Sequence, residues 1–423
     1  MRKIVIGLSL PLSGEYEKIG LQIEAALQLF ANDINAAGGV ELAGERRAVE
    51  LEYRDDRSRR DSAREIYRWL CFERRVDVIF GPYSTALTRV AAAVADEAGM
   101  LLINHGGAGD DLYEVDRPAD RVSDRSRMIV GVLSPASDYM AGFVRLLATL
   151  KFWRKRLAIV AAKTPFARAV AGGAERDCRQ RRMWLHGVRL RLKYSTRFDP
   201  HHTPDALAAA LRRNRVNAVM SAGSYEHDLA IMKLCAAPAV NIPVLACVAA
   251  GVARFGADLG EEAEGIVGPS QWEPDAKITP KIGPLPANFT HRMHASGSVG
   301  CDYPAAQAYA AGLVTIAALR DAGALDQTRL RKAFSDLRTT TLFGDFAIDP
   351  RSGRQVGHEM LLVQWHRGRK VLIEAEPDPN AGAIEFPSGW RLVLASMNYF
   401  RFSAGNRGED SAPADEIDDD KDD

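Results

Sequence analysis

Two adjacent hydroxyl residues, Ser84 and Thr85, occupy the position in this sequence where ligand chemistry is most strongly indicated. They follow a short apolar run at residues 76–80 and open a predicted helix over residues 84–97. The first turn of a helix leaves backbone N–H groups without partners, and together with the helix dipole these favour an anion. Two hydroxyls add donors that can reach a carboxylate. The pair therefore predicts a carboxylate-binding site, with an ordinary helix cap at Ser84 as the alternative.

Small or polar loops also follow three other predicted strands, at residues 11–16, 104–108 and 221–225. Ligands of open α/β sheets bind outside the carboxyl ends of such strands, and glycines in the second loop allow close approach of a ligand. Phe166 and Trp272 follow further strands and are interpreted either as core or as ligand-lining residues. The predicted ligand-binding residues are Ser13, Tyr16, Tyr83, Ser84, Thr85, Gly107, Ala108, Phe166, Ser224, Tyr225 and Trp272.

Signatures of catalysis, metal binding and cofactor binding are missing from the sequence. There is no P-loop, no GxGxxG fingerprint between strand and helix, and no GxSxG elbow. His358 is followed by Glu359 but lacks the second histidine of a HExxH motif, and His291 with His294 has no third ligand nearby. Arginine-rich segments lack the interleaved aromatics of a surface for single-stranded nucleic acid. We therefore predict a protein that is not an enzyme, with no catalytic residue, metal or cofactor and no nucleic-acid partner.

Strands and helices alternate along most of the chain and place these loops at strand ends. Apolar runs such as residues 4–8 and 157–161 are typical of buried parallel strands, and stripes with a 3.6-residue period mark the helices between them. Two such series are separated by an irregular stretch that ends near residue 130. The alternation predicts βαβ units, parallel sheets and two α/β lobes. A loop rich in proline and glycine is predicted from residue 268 to about residue 303.

The charge distribution separates a folded body from an acidic tail. The 423 residues carry 55 Lys+Arg and 55 Asp+Glu, but residues 409–423 hold nine acids and one lysine, which leaves the body mildly basic. The tail has almost nothing apolar to bury and is predicted to be disordered. Five scattered cysteines form no CxxC pair. Pro238 and Pro243 interrupt the longest charge-free apolar stretch, so no membrane span is predicted, and residues 1–6 are too short for a signal peptide.

Six motifs resemble those of the type 1 periplasmic (solute) binding proteins, specifically the branched-chain amino acid (Leu/Ile/Val-binding) and amide branch of ABC transporter components. They are IGLSLPLSG at 6–14, INAAGGV at 34–40, VIFGPYST at 78–85, EGIVG at 264–268, YPAAQAY at 303–309 and FGDFAID at 343–349. Each motif is weak alone. Their order and spacing over about residues 3–373 make the resemblance specific.

This resemblance implies an α/β fold of two Rossmann-like lobes with parallel sheets, joined by three crossovers. The first lobe would comprise residues 1–132 plus 270–336, and the second residues 133–269 plus 337–375. Residues 376–423 would form a C-terminal extension that ends in the acidic tail. A ligand would bind in the cleft between the lobes, and hinge closure would trap it. The closed form would present a composite surface to a membrane permease.

The family's ligand contacts can be carried over position by position. They fall on Ser84 and Thr85 for the ligand carboxylate, on Tyr16 and Phe166 for an aromatic wall, and on Ser224 or Tyr225 for the second lobe. Two departures matter. Amino acid binders place a threonine where this chain has Ala108, and an acid for the ligand α-ammonium where it has residues 248–250, Val-Ala-Ala. Because a buried, unpaired ammonium costs several kcal/mol or so, we predict a neutral amide, or a carboxylate with an aromatic or aliphatic body.

Two functions follow as hypotheses. The first is the substrate-binding component of an ABC importer, which binds a small amino acid-like, amide or carboxylic acid ligand and docks on a permease without itself spanning the membrane. Such a protein would be periplasmic if a signal peptide was removed or missed. The alternative is a cytoplasmic small-ligand sensor, similar to an amide regulator, that controls a transcriptional partner. The predicted absence of a signal peptide favours this alternative.

Overall fold

The computed structural model describes residues 2–114, 128–149, 156–180, 204–298 and 300–373. The strand expected near residues 188–192 and the C-terminal extension at 376–423 lie outside these residues. The strands are β1 Ile4–Leu10, β2 Val40–Leu42, β3 Glu45–Arg47, β4 Val49–Asp55, β5 Val78–Phe80, β6 Leu102–Asn104, β7 Ile129–Gly131, β8 Leu157–Ala161, β9 Ala218–Ala222, β10 Val244–Cys247, β11 Val267–Ser270, β12 Thr339–Thr341, β13 Gly344–Phe346, β14 Leu361–His366 and β15 Arg369–Ile373. The α-helices are α1 Glu17–Ala36, α2 Arg60–Arg68, α3 Thr85–Ala98, α4 Ala141–Thr149, α5 Pro165–Gln180, α6 Pro204–Arg213, α7 Tyr225–Ala236, α8 Phe255–Leu259, α9 Pro286–Ala295, α10 Tyr303–Ala322 and α11 Gln327–Asp336.

The first lobe is built on a five-stranded parallel sheet with strand order β4-β1-β5-β6-β7. Strand β1, second in this order, has both faces buried, because Ile6 and Leu8 on one face and Gly7 and Ser9 on the other are all buried. Helices α1 and α10 pack together, as do α2 and α3, while α9 packs on α1 and α11 on α10. The carboxyl ends of β1, β5 and β6 therefore carry the predicted loops at one edge of this sheet.

The second lobe is built on a six-stranded sheet with strand order β15-β14-β11-β10-β9-β8. Strands β8 to β11 are parallel, whereas β14 and β15 form an antiparallel hairpin at the edge. The hairpin turns at Arg367 and Gly368, both with positive φ (49° and 73°), which suits a two-residue turn that follows the strand twist. Helices α4, α5 and α7 pack on this sheet.

Two helices depart from what composition alone would suggest. Helix α9 lies inside the segment predicted as a loop to about residue 303, so that prediction was wrong there. Pro286 occupies the first turn, where its missing N–H costs nothing, and Phe289 and Met293 at i and i+4 are fully buried. Helix α10 is buried along most of its length because small alanines let it approach α1 closely.

The chain passes between the two sheets three times, after β7, after β11 and before β14. This confirms the expected fold class of two α/β lobes with parallel sheets joined by three crossovers. One hydrophobic cluster of buried residues includes side chains of both lobes. Among the described residues no single helix is long and apolar enough to cross a membrane. Helices α10 and α11 would satisfy that length and composition only together, and they are bent by 110°.

Candidate ligand-binding site

Ser84 lies at the end of the loop that joins β5 to α3. Its backbone has φ 98° and ψ 149°, a region that is nearly restricted to glycine. Its side chain makes no capping hydrogen bond, and its buried Oγ has no partner at good hydrogen-bond geometry among the described residues. The Tyr16 phenol nevertheless lies near enough for the Ser84 hydroxyl to lower its pKa, against the larger rise due to burial. A buried hydroxyl without a partner costs free energy. The Ser84 side chain is therefore not a helix cap in this structure, and its role in ligand binding stays a prediction.

The loop after β6 packs tightly against the loop after β5. Asn104 holds it, since its Oδ1 accepts from the Gly107 N–H at 2.8 Å and its Nδ2 donates to the Gly107 carbonyl at 2.7 Å. A Cβ atom at Gly107 would lie 2.6 Å from Thr88 Oγ1, so packing between the two loops already requires glycine here. Thr85 Oγ1 accepts from the Gly109 N–H at 3.1 Å, which ties the start of α3 to the same loop.

Aromatic side chains from both lobes gather beside Ser84. In the first lobe, the Tyr16 and Tyr83 rings meet edge to face with centroids 5.5 Å apart, and the Tyr83 and Tyr303 hydroxyls lie 3.0 Å apart. On the other side, Tyr139 and Phe166 meet edge to face at 5.4 Å. Tyr139 is near enough to Tyr83 and Tyr303 for their phenols to perturb one another electrostatically. We call these five residues the aromatic cluster.

The phenols of the aromatic cluster are uncharged at neutral pH. Burial raises the pKa of Tyr83, Tyr139 and Tyr303 above the ordinary value near 10. Burial, followed by the neighbouring Glu15 carboxylate, also raises the pKa of Tyr16. Protonated phenols supply O–H donors without adding negative charge. The cluster can therefore face a carboxylate or an amide without repelling it.

Two of the predicted second-lobe contacts are occupied within their own lobe. Ser224 caps α7, where its Oγ accepts from the His227 N–H at 3.3 Å. The Tyr225 hydroxyl donates to Asp258 Oδ2 at 2.6 Å, and the Arg254 guanidinium lies 3.7 Å from the centre of the Tyr225 ring. Their role in ligand binding stays a prediction.

The carboxylates that follow β9 are also engaged. Asp228 is buried, accepts from Ser221 Oγ at 2.7 Å and from the Ala249 N–H at 3.0 Å, and burial raises its pKa to about 6. Glu226 is exposed and lies 3.9 Å from the Arg254 guanidinium. Asp228 is therefore committed within its own lobe, whereas Glu226 lies on the exposed surface with only a weak ion pair. The neutral or acidic ligand predicted from Val-Ala-Ala at 248–250 stays a prediction.

Three other predicted positions have partners inside the protein. Ser13 Oγ donates to Asp55 Oδ2 at 2.7 Å, which joins the loop after β1 to the end of β4. Ala108 is buried, and its carbonyl accepts from the Ala136 N–H at 2.6 Å. Trp272 is fully buried in the core. Trp272 is therefore a core residue, which is one of the two interpretations offered from the sequence. Ser13 and Ala108 lie in the loops that follow β1 and β6.

Sequence reasoning did not single out two members of the aromatic cluster, Tyr139 and Tyr303. Tyr303 opens α10 and lies 220 residues after Tyr83, whose hydroxyl it contacts. Tyr139 follows a short 3-10 helix in the first crossover. The motif YPAAQAY did draw attention to Tyr303, but only as a mark of family resemblance. Tyr303 could have been noticed as a polar aromatic residue at the start of a helix. No local pattern in the sequence, however, shows that its hydroxyl contacts Tyr83.

His105, in the loop after β6, is buried, and in the described part of the chain its ring meets no other residue at hydrogen-bond geometry; its own backbone opposes the effect of burial on its pKa. It is 1% exposed, neither ring nitrogen has a hydrogen-bond partner in the described residues, and its ring meets Phe80 edge to face at 6.0 Å. Burial lowers the pKa of His105 to about 4. The unfolded value is about 6.5. Between these values the unfolded chain binds a proton that the folded chain does not, so the stability associated with neutral His105 is present above about pH 6.5 and is lost as the pH falls toward 4.

We expect His105→Leu to leave the free energy of unfolding at pH 7 unchanged or higher, because it removes a buried polar group that has no partner. The variant should also lose less stability than the wild type between pH 7 and pH 4.5, by on the order of 2 kcal/mol. Urea unfolding at both pH values measures this. Part of the acid dependence should persist, since burial also lowers the pKa of His358 to about 4. A loss above about 2 kcal/mol at pH 7 would mean that the ring has a partner, such as an ordered water.

Comparisons with known proteins agree with the two-lobe fold. A leucine-binding protein from Thermotoga maritima superposes with a TM-score of 0.67 at 16% identity, covering 87% of this chain and 97% of its own. A branched-chain amino acid transporter substrate-binding protein from Streptococcus pneumoniae, in complex with isoleucine, superposes with a TM-score of 0.66 at 17% identity. The match covers 87% of this chain and 98% of that protein. An ABC transporter solute-binding protein from R. palustris, in complex with benzoate, superposes with a TM-score of 0.63 at 19% identity. The match covers 88% of this chain and 96% of that protein.

At these identities the three structures establish the shared fold. The family model described as periplasmic binding protein matches residues 3–370, which is most of the 423-residue chain. The match includes both sheets, all three crossovers and every residue of the aromatic cluster. This protein belongs to the periplasmic binding protein family.

Proposed function

We propose that this protein binds a small carboxylic acid or amide in the cleft between its lobes, as the substrate-binding component of an ABC importer. The observation that carries the proposal is the Ser84 hydroxyl, which is buried at the start of α3, has no partner at good geometry in the part of the chain that the structure describes, and lies beside Tyr16 of the aromatic cluster. A ligand carboxylate at this point would accept from Ser84 Oγ and gain from the free N–H groups of the first helical turn.

The aromatic cluster favours a ligand with a flat or apolar body. Its rings meet edge to face around uncharged phenols, so they can stack on an aromatic acid and donate to its polar groups. Related structures bound to benzoate, 3,4-dihydroxybenzoic acid and 4-hydroxybenzoate show that this fold accommodates aromatic acids. Other relatives bind leucine or isoleucine, so the fold alone does not choose between the two ligand classes.

The engaged acids of the second lobe argue against a leucine-type ligand. Asp228 already accepts from Ser221 and a backbone N–H, and Glu226 faces Arg254. On the first-lobe side Glu15 is exposed next to the Tyr16 phenol, where water screens its charge. Asp302 and Asp110 also act on the phenols of the aromatic cluster, but Asp302 accepts from the Tyr303 N–H and Asp110 accepts from the Ser137 N–H, both at 3.0 Å. An α-ammonium in the cleft would therefore have to compete with partners that these carboxylates already have. We infer that the cognate ligand has no α-ammonium.

Isothermal titration calorimetry against benzoate, 4-hydroxybenzoate, benzamide, leucine and isoleucine tests this proposal. We expect an aromatic acid or amide to bind tightest, and leucine to bind weaker by about 100-fold, because an unpaired buried ammonium costs several kcal/mol or so. If leucine or isoleucine binds tightest, the ligand class is wrong and Glu15 becomes the candidate counter-charge. If no compound binds better than about 1 mM, the site itself is called into question.

The importer proposal implies a membrane permease as partner and a location outside the cytoplasm. Several related structures are solute- or substrate-binding proteins of ABC transporters, which favours this proposal over the cytoplasmic sensor. Fractionation of the native host separates the two. Recovery in the periplasm, or on the outer face of the membrane, supports the importer component, whereas recovery with a transcriptional partner in the cytoplasm supports the sensor.

A further inference from the structure

The three crossovers meet at one buried point. Ser134 lies in the first crossover, Gln271 in the second and His358 in the third, and their exposed fractions are 1%, 2% and 9%. Ser134 and Gln271 are 137 residues apart in the chain, and Ser134 and His358 are 224 apart. We call these three residues the hinge clasp.

Ser134 and Gln271 form a two-point pair. The Ser134 N–H donates to Gln271 Oε1 at 3.1 Å, and Gln271 Nε2 donates to the Ser134 carbonyl at 3.0 Å. This is the pattern of two neighbouring strands, made here by one side-chain amide. It joins the first crossover to the second without help from any regular element.

His358 closes the triangle. Its Nε2 lies 3.0 Å from the Gln271 carbonyl, which can only accept, so Nε2 carries the ring proton. Burial lowers the pKa of His358 to about 4, so the ring is neutral at physiological pH and Nδ1 is an acceptor. The Ser134 hydroxyl lies 2.6 Å from Nδ1 and 3.0 Å from the His358 carbonyl, so its single proton is shared between these two acceptors. This tautomer follows from the partners. The Phe343 ring stacks on His358 with centroids 4.5 Å apart and fixes the imidazole plane.

Two further contacts extend the hinge clasp. Gln355 Nε2 donates to the Val132 carbonyl at 3.1 Å, a second link between the third crossover and the first. On the other side, the Gln271 amide lies close enough to the Tyr139 phenol to lower its pKa by hydrogen bonding, against the larger rise due to burial. The hinge clasp thus reaches from all three crossovers to a wall of the aromatic cluster.

We propose that Ser134, Gln271 and His358 are positioning residues that make the three crossovers move as one hinge, and so fix the lobe orientation in which Ser84 and the aromatic cluster face the same ligand. This inference depends on the proposed function only where it assumes which ligand binds; the coupling of the crossovers does not depend on the ligand. The hinge clasp touches neither Ser84 nor Thr85, and its one contact with the aromatic cluster is that of Gln271 with the Tyr139 phenol. Ser134 does not make that contact, so the effect of Ser134 on binding would be indirect.

A buried network resists partial loss. Removing one member leaves the others with buried donors or acceptors that lack partners, whereas the intact network is fully paired. Crossovers that are linked must rotate together, and crossovers that are released can rotate separately. Release would spread the free protein over more lobe orientations. The apparent affinity for ligand then falls in proportion to the fraction that remains competent.

The test uses the full-length chain without ligand, in small-angle X-ray scattering. Ser134→Ala removes the hydroxyl from the centre of the hinge clasp, and Gln271→Met removes the two-point pair at similar volume. Ser221→Ala is the matched control, because Ser221 is also buried and its Oγ also bonds a titratable side chain, Asp228, at 2.7 Å, but within one lobe. Ser134→Thr retains the hydroxyl and should restore the wild-type behaviour.

We expect Ser134→Ala and Gln271→Met to increase the radius of gyration and broaden the distance distribution of the free protein, while Ser221→Ala changes neither. With benzoate as the probe, affinity should fall about threefold if the competent fraction falls to about one third. Unchanged scattering in folded Ser134→Ala would overturn the proposal, even if stability decreases, since a merely structural role predicts loss of stability alone. If Gln271→Met does not fold, Ser134→Ala decides. Because scattering is measured without ligand, its result stands even if benzoate proves to be the wrong ligand.

Discussion

Replacing Ser84 with glycine is expected to stabilise the fold and to weaken the binding of an acid. The backbone at this position, with φ 98° and ψ 149°, suits glycine and costs a serine about 1–3 kcal/mol. Ser84→Gly removes that cost and also removes a hydroxyl that has no partner within the described structure. A lost hydrogen bond to a charged ligand is worth about 1.5–3 kcal/mol, which corresponds to about 10- to 150-fold in Kd. Denaturant unfolding and calorimetry with the best-binding acid measure the two effects separately.

Ser84→Ala is the control for this pair of effects. Alanine lacks the hydroxyl but does not relieve the backbone, so binding should fall as in Ser84→Gly while stability does not rise. Thr85→Val serves less well as a control, because Thr85 Oγ1 also holds the Gly109 N–H of the neighbouring loop. Wild-type affinity in Ser84→Gly, with the fold intact, would remove Ser84 from the binding site.

Trp272→Ala is expected to have the largest effect on stability, a loss of about 3–5 kcal/mol in the free energy of unfolding. Trp272 is fully buried, its ring meets Phe289 edge to face at 6.0 Å, and its Nε1 donates to the Leu342 carbonyl at 2.9 Å. The substitution leaves a large cavity and a buried carbonyl without its donor. Thermal and denaturant unfolding measure the loss.

The same variant separates a core role from a ligand-lining role. Trp272→Phe keeps a ring in place and loses the hydrogen bond to Leu342, so its loss of stability should be smaller, and both variants should bind the acid normally while folded. A Trp272→Ala protein with wild-type stability and no ligand affinity would place Trp272 in the cleft after all.

Most of the fold could be predicted because its signals are local. Apolar runs and 3.6-residue stripes mark the strands and helices of both parallel sheets, and the turn at Arg367-Gly368 marks the hairpin β14–β15. Helix α9 was missed because proline and glycine around it suggested a loop, whereas Pro286 starts a helix that is fixed by burial of Phe289 and Met293. The Phe289 ring packs against Trp272 and Tyr309, and α9 also packs on α1, more than 250 residues earlier. No local pattern in the sequence contains these contacts.

The candidate site could be predicted only where a polar side chain directly follows a strand in the sequence. Ser84 follows its strand directly, so a hydroxyl at a helix start could be recognised from spacing. The positive φ of Ser84 could not, because it results from packing between two loops. Tyr139, Tyr303 and the hinge clasp depend on contacts across 100–220 residues or more. Polar side chains at such distances find each other through the fold, and their pairing leaves no periodicity in the sequence.

The most direct test is a crystal structure with the tightest-binding acid of the calorimetry panel. We expect the ligand carboxylate within hydrogen-bond distance of Ser84 Oγ at the start of α3, with Tyr83 and Tyr139 on opposite sides of its body. A carboxylate bound elsewhere, with the Ser84 hydroxyl still unpartnered, would contradict the account.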